Sequence, residues 1–273
     1  MAELPFLLMV SALVLLGPAA RAAAPRETAA HGRPDAHPVQ ATERARDAGD
    51  AGTRCLAMLP DDPDGAADLA ADWAKHGGGS AAAECGALAE MATGDPAEAA
   101  RTLDALAADA KQAAARRAIL AGEAAQAWLS AGEAAKALDA DDRAAALSPN
   151  DPGILGQVGR AALEAGKLDR ADAALSAALR LDPRQVDALV TRAEVLRRLG
   201  RAADARAEVD AANALAPGRA DILLERGVLR EAAGDREGAR ADWSQVVASA
   251  PDTEEADQAQ QDLALLEAGP ETR

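Results

Sequence analysis

From residue 152 onward, apolar side chains recur at steps of three and four, and the recurrence breaks at fixed places. Leu155, Val158 and Ala162 mark one face of a helix, because such positions share a side at 3.6 residues per turn. Gly166 interrupts the run, and Lys167, Leu168 and Asp169 make a turn. Ala171, Leu175, Ala178 and Leu181 then mark the inner face of a second helix. Asp182 and Pro183 end it, since proline cannot donate to the preceding turn. The pattern predicts helix, tight turn, helix within 34 residues.

That unit returns. Segment 186–219 carries Leu189, Ala193, Leu196, Gly200, Ala205, Val209, Ala212 and Pro217 at the matching places. Segment 220–253 carries Leu223, Gly227, Gly234, Ala239, Trp243, Val246 and Pro251. Segment 118–151 carries Ala121, Ala125, Trp128, Gly132, Ala137, Ala144 and Pro149. Gly132, Gly166, Gly200 and Gly234 stand 34 residues apart, and Pro149, Pro183, Pro217 and Pro251 follow each glycine by 17. A period of this length means stacked helical hairpins, each hiding the face its neighbour leaves open. Two positions break the pattern. Arg230 and Asp141 occupy places where a large apolar residue is expected, so segment 118–151 reads as degenerate.

The units resemble the tetratricopeptide repeat. Small residues such as Gly159 and Ala171 fall where that family's helices approach closely, larger residues fill the gaps, and a proline closes the unit. The resemblance implies an all-α fold, a right-handed superhelical solenoid of stacked antiparallel helix pairs. Upstream the phase loosens, because Gly94 precedes Gly132 by 38. A pair is expected over 80–92 and 96–108, with Ala99, Leu103 and Leu106 inward, and a shorter one over 53–59 and 64–76. A capping helix is expected over 253–266, with Leu263, Leu265 and Leu266 inward and Glu254, Glu255, Asp257, Gln260 and Gln261 wet. The solenoid over 51–267 thus holds about six pairs and a C-terminal cap, followed by a short tail at 268–273.

Composition sharpens this picture. Hydrophobic residues make up 49% of the chain and aromatics 1%: Trp73, Trp128, Trp243 and Phe6, with no tyrosine. The core must be close-packed alanine and leucine. The net charge of −16 argues against nucleic acid, which needs clustered cations, and against an anionic membrane surface. At the start, residues 1–22 read as a signal peptide, with an apolar run from Leu4 to Leu16 and a cut between Ala22 and Ala23 after Ala20-Arg21-Ala22. The run is short for a bilayer span, so no membrane insertion of the mature chain is expected; a short uncleaved anchor is the alternative. Segment 23–50, rich in Pro, Gly and charge, reads as a disordered tether. The location expected is periplasmic or secreted.

Chemistry-bearing motifs are sparse. Cys55 and Cys85 lie on the first helices of successive pairs; export favours a disulfide between them, and two small buried thiols are the alternative. His31, His37 and His76 do not converge with other ligands, so no metal is expected, and no cofactor. The nucleophile-elbow, phosphate-loop and zincin motifs are absent, so no enzyme is expected. In tetratricopeptide proteins the first helices line a groove that receives a peptide or helix. The resemblance puts Gln126, Arg160, Asp187, Glu194, Arg197 and Arg198 there, with Asp221 and Glu231 further along. Arginine suits bidentate carboxylate recognition, which fits an acidic partner, unless these arginines pair with neighbouring carboxylates. The expected role is a non-catalytic protein–protein interaction adaptor of the bacterial envelope. The alternatives are a self-associating structural protein or an accessory subunit of an envelope secretion or export machine. Oligomeric state is not readable.

Overall fold

The computed structural model describes residues 50–268. The leader, its cut site, segment 23–49 with His31 and His37, and residues 269–273 lie outside the described residues. Among the described residues thirteen helices follow one another: α1 over 50–58, α2 (Pro63–Lys75), α3 (Gly79–Thr93), α4 (Pro96–Ala108), α5 (Ala114–Ser130), α6 (Ala134–Leu147), α7 (Pro152–Glu164), α8 (Leu168–Leu181), α9 (Val186–Arg198), α10 (Ala202–Leu215), α11 (Ala220–Ala232), α12 (Arg236–Ser249) and α13 (Glu254–Ala268). From α2 onward each packs on the next, and from α5 to α13 each odd-numbered helix also touches the following odd-numbered one. The odd-numbered helices therefore line the inner side of a solenoid of six pairs plus a cap.

The glycine series has a backbone reason. Gly132, Gly166, Gly200 and Gly234 have φ of 74°, 70°, 77° and 86°, the left-handed region that only glycine enters without strain. The residue after each donates its N–H back across the turn, as Lys167 does to the Ala162 carbonyl at 2.8 Å, which closes the orphan carbonyls of the first helix. Entry is set by aspartates: Asp62, Asp95, Asp151 and Asp235 each accept from backbone N–H groups of the helix that follows.

The slip of four residues between Gly94 and Gly132 is one helical turn. Helix α5 has 17 residues where α7, α9 and α11 have 13. An inserted turn keeps nearly the same face inward, so the stack runs through without a fault. Glycine at the closest approaches does the rest. A Cβ on Gly159 would lie 2.4 Å from Leu175 Cγ, and one on Gly227 would lie 2.3 Å from Trp243 Nε1. Gly227→Val is expected to cost about 1–3 kcal/mol, the usual penalty of overpacking, read as a lower urea midpoint at unchanged slope.

Two expectations about the inner faces fail. Leu181 is 48% exposed and Leu265 is 45% exposed. Leu181 is the last residue of α8, past the edge of its neighbours, and Leu179 packs against the core instead. Leu265 sits about 100° around the helix from Leu266, which is buried with Ala256 and Ala259. Helix α6, expected to be degenerate, is regular over 14 residues with Asp141 only 1% exposed inside it.

Arg230 also finds a reason. Asp242 of α12, 3% exposed, accepts from Arg226 (2.7 and 3.0 Å) and Arg230 (2.7 Å) of α11. One period earlier, Arg192 pairs with Glu208 at the same 16-residue spacing. Asp242→Ala removes the shared acceptor of two part-buried guanidiniums. It is expected to cost about 2–3 kcal/mol, since both arginines keep some access to water; calorimetry would read it as a lower Tm.

At the N-terminal end, Cys55 of α1 is bonded to Cys85 of α3 across a Cα–Cα distance of 6.1 Å. Both sulfurs are buried among Ala66, Ala70 and Ala89, with Trp73 against them.

Candidate functional site

The inner face of α7, α9 and the start of α11 holds a cleft of about 440 Å³. Its floor is low because α7 presents Gly153 and Gly156 there. Its walls carry Gln157 and Arg160 of α7, Gln185, Asp187 and Thr191 at α9, and Arg219 and Asp221 at α11. A second cleft of about 410 Å³ adjoins it, lined by Gln126, Leu129 and Ser130 of α5 with Arg160 and Glu164 of α7. Arg160 borders both.

Of the residues expected in the groove, Asp187 and Asp221 line the first cleft, and Gln126, Arg160, Glu194, Arg197 and Arg198 separate into two groups. Gln126 and Arg160 meet: the Arg160 Nη2 donates to Gln126 Oε1 at 2.7 Å, one period apart. Glu194 and Arg198 form a pair along α9 at 2.5 Å. Arg197 donates to both oxygens of Glu225 on α11, at 2.7 and 3.2 Å. None of Glu194, Arg197 and Arg198 lines either cleft. The local pairing weighed at the outset thus holds for Arg198, and Arg197 is used to tie α9 to α11.

Arg219 lines the cleft and bridges two acids. It donates to Asp187 at 2.7 Å and to Asp221 at 2.8 Å. Burial pushes the Asp221 carboxyl up, but hydrogen bonds and charge from Arg219 outweigh it and hold the group below the usual carboxylate range. Arg219 is raised in turn, chiefly by its hydrogen bond to Asp221. Glu225 moves the other way: burial raises it more than Arg197 lowers it.

Arg160 differs. Its partner is a neutral amide, and among the described residues no carboxylate lies within ion-pair distance of it, whereas Arg197, Arg198 and Arg219 each have one. It is exposed at the mouth of both clefts. The cleft therefore combines neutral hydrogen-bonding groups (Gln157, Gln185, Thr191), a compensated Arg219 cluster and one cation open to an anion. Gln157, Gln185, Thr191 and Arg219 were missed at the sequence level. Projection by 34 would have found part of the set, because Gly153, Gly156, Gln157 and Arg160 map onto Asp187, Val190, Thr191 and Glu194.

No family model matches the chain, and no curated protein does. Solved structures do. PilF of Pseudomonas aeruginosa superposes with a TM-score of 0.63 at 17% identity, over 81% of this chain and 99% of that one. A thermophilic TPR protein of Thermus thermophilus gives 0.55 at 21% identity, over 66% and 96%. YrrB, a TPR protein with an unusual peptide-binding site, gives 0.50 at 17% identity, over 67% and 91%. The fold is that of the tetratricopeptide-repeat proteins.

Proposed function

We propose that this tetratricopeptide-fold solenoid is a non-catalytic adaptor that holds a peptide or helix of a protein partner along the inner face of α5, α7, α9 and α11. The observation that carries the reading is the pair of adjoining clefts meeting at Arg160, a groove cation without a carboxylate at ion-pair distance among the described residues. Gln157, Gln185 and Thr191 suit the hydrogen-bonding groups of a peptide backbone. Arg160 suits one carboxylate, a side chain or a chain end, which would displace the Gln126 amide. The remaining groove arginines are already neutralised, so the ligand needs a single well-placed acid and no acidic run.

An exported location fits this reading. It is supported by the apolar leader with its small-residue cut site and by the Cys55–Cys85 bond, which persists in oxidising compartments. Among the described residues no helix is long and apolar enough to cross a membrane.

The test is photo-crosslinking in intact cells from a probe at Thr191, with mass spectrometry of the adducts. Arg160→Glu is expected to lower recovery of the crosslinked partner at least tenfold, as loss of a charge-assisted bidentate contact implies, while Arg198→Glu leaves it unchanged. Equal recovery from the wild type and Arg160→Glu sinks the groove assignment.

A further inference from the structure

Among the described residues Glu90 and Glu123 each leave one buried carboxylate oxygen without a hydrogen-bond partner, and Asp141 leaves both. It occupies the position that carries Leu175, Val209 and Trp243 in the next three pairs. Leu175 packs on Gly159 and Trp243 on Gly227; one period earlier, Asp141 stands opposite Ala125 of α5. It is 1% exposed, and neither carboxylate oxygen has a hydrogen-bond partner among the described residues. The surrounding core is continuous and apolar from α3 through α9.

The charged groups that act on Asp141 come from two elements. Arg160 of α7 attracts it, without reaching ion-pair distance. Asp142, its neighbour on α6, repels it and is itself held by Arg170 of α8. On α5 the position opposite is alanine. As these groups stand, none partners the carboxylate. The protonated acid, by contrast, is neutral and escapes most of the cost of burying a charge.

We propose that Asp141 makes the third helix pair a proton-operated joint, closed when the carboxyl is protonated and loosened around α6, between α5 and α7, when it is ionised. Opening lets the carboxylate reach water, so each proton lost favours the open form. Burial holds the group up to about 7, against about 3.9 for a free aspartate. Between those limits one proton is released per opening, and the opening equilibrium rises about tenfold per pH unit before levelling off. The joint is linked to the clefts through Arg160, which acts on Asp141 and borders both of them.

Hydrogen exchange of the full chain, read as protection factors at each pH from 4 to 8, tests this. The wild type is expected to lose about tenfold in protection per unit across α5–α7, with a smaller change in α9–α12. Asp141→Asn and Asp141→Leu, tested in parallel so that one folded variant suffices, are expected to flatten the profile in α5–α7. A slope that persists in both variants overturns the joint. So does a wild-type slope shared equally by all helices, which would assign the proton to global unfolding.

Discussion

Asp141→Leu removes a charge penalty of about 4 kcal/mol at pH 7 and above and is expected to stabilise the chain by that amount less the cost of packing leucine against Ala125, where the matching Leu175 faces Gly159. The buried carboxyl is held up to about 7, roughly three units above an unfolded aspartate, and each unit is worth about 1.4 kcal/mol. At 1% exposure, solvent screening offers little relief. The sign follows from a raised acid. Below about pH 4 both states hold the proton and the penalty is absent. As pH rises, the unfolded state ionises first, and native stability falls until the folded group titrates too. The penalty is complete above about pH 7. Urea melts at pH 4, 5.5 and 8 check this: the gain from Asp141→Leu must widen with pH, and a gain constant across the series would refute the electrostatic account. Asp141→Asn removes the charge and keeps an unpartnered amide, so its gain at pH 8 should be smaller.

Losing the Cys55–Cys85 bond is expected to cost about 3–4 kcal/mol. The loop it closes spans 30 residues, and the chain-entropy estimate for that length falls in this range. The loss should be local. The first pair is held by a small cluster built mainly of alanine and the two sulfurs, whereas α5–α9 share a larger one. A double Cys55→Ala, Cys85→Ala variant should release Trp73 at a lower urea concentration than α9–α12, turning one transition into two. Fluorescence from single-tryptophan variants keeping Trp73 or Trp243 would separate them. Coincident loss of both signals would place the bond's effect in the whole stack.

Much of the architecture was legible because it repeats. A glycine every 34 residues, apolar steps of three and four, and a proline after each unit leave few alternatives, and the helices fall close to where those signals put them. Asp141 was visible as a departure; that α6 stays regular around it was not, since alanine-rich flanks carry the helix through an unfavourable residue. Leu181 and Leu265 show where periodicity misleads: a residue can share a face and still lie beyond the element that covers it. The groove was the least legible part. Side-chain direction decides whether an arginine is offered or consumed, and Arg197 is turned into Glu225 by a partner 28 residues away. Arg160 remains available because its counterpart at one period is glutamine.

The joints between neighbouring pairs share a construction. Glu84–Arg116 and Asp104–Arg143 cross from the second pair to the third, Asp142–Arg170 from the third to the fourth, Asp172–Arg201 from the fourth to the fifth, and Arg197–Glu225 with Asp187–Arg219 from the fifth to the sixth. The surfaces beneath them are largely alanine, which contributes little area per contact. Part-exposed ion pairs of this kind are individually weak and are screened within about 8 Å at physiological salt. The hairpins themselves are closed by glycine turns and alanine cores, and the ion pairs inside them, Arg226–Asp242 and Arg192–Glu208, are more buried and so less screened. The coil is therefore built as a spring of stiff links and softer couplings, and rising ionic strength slackens the couplings before it touches the links.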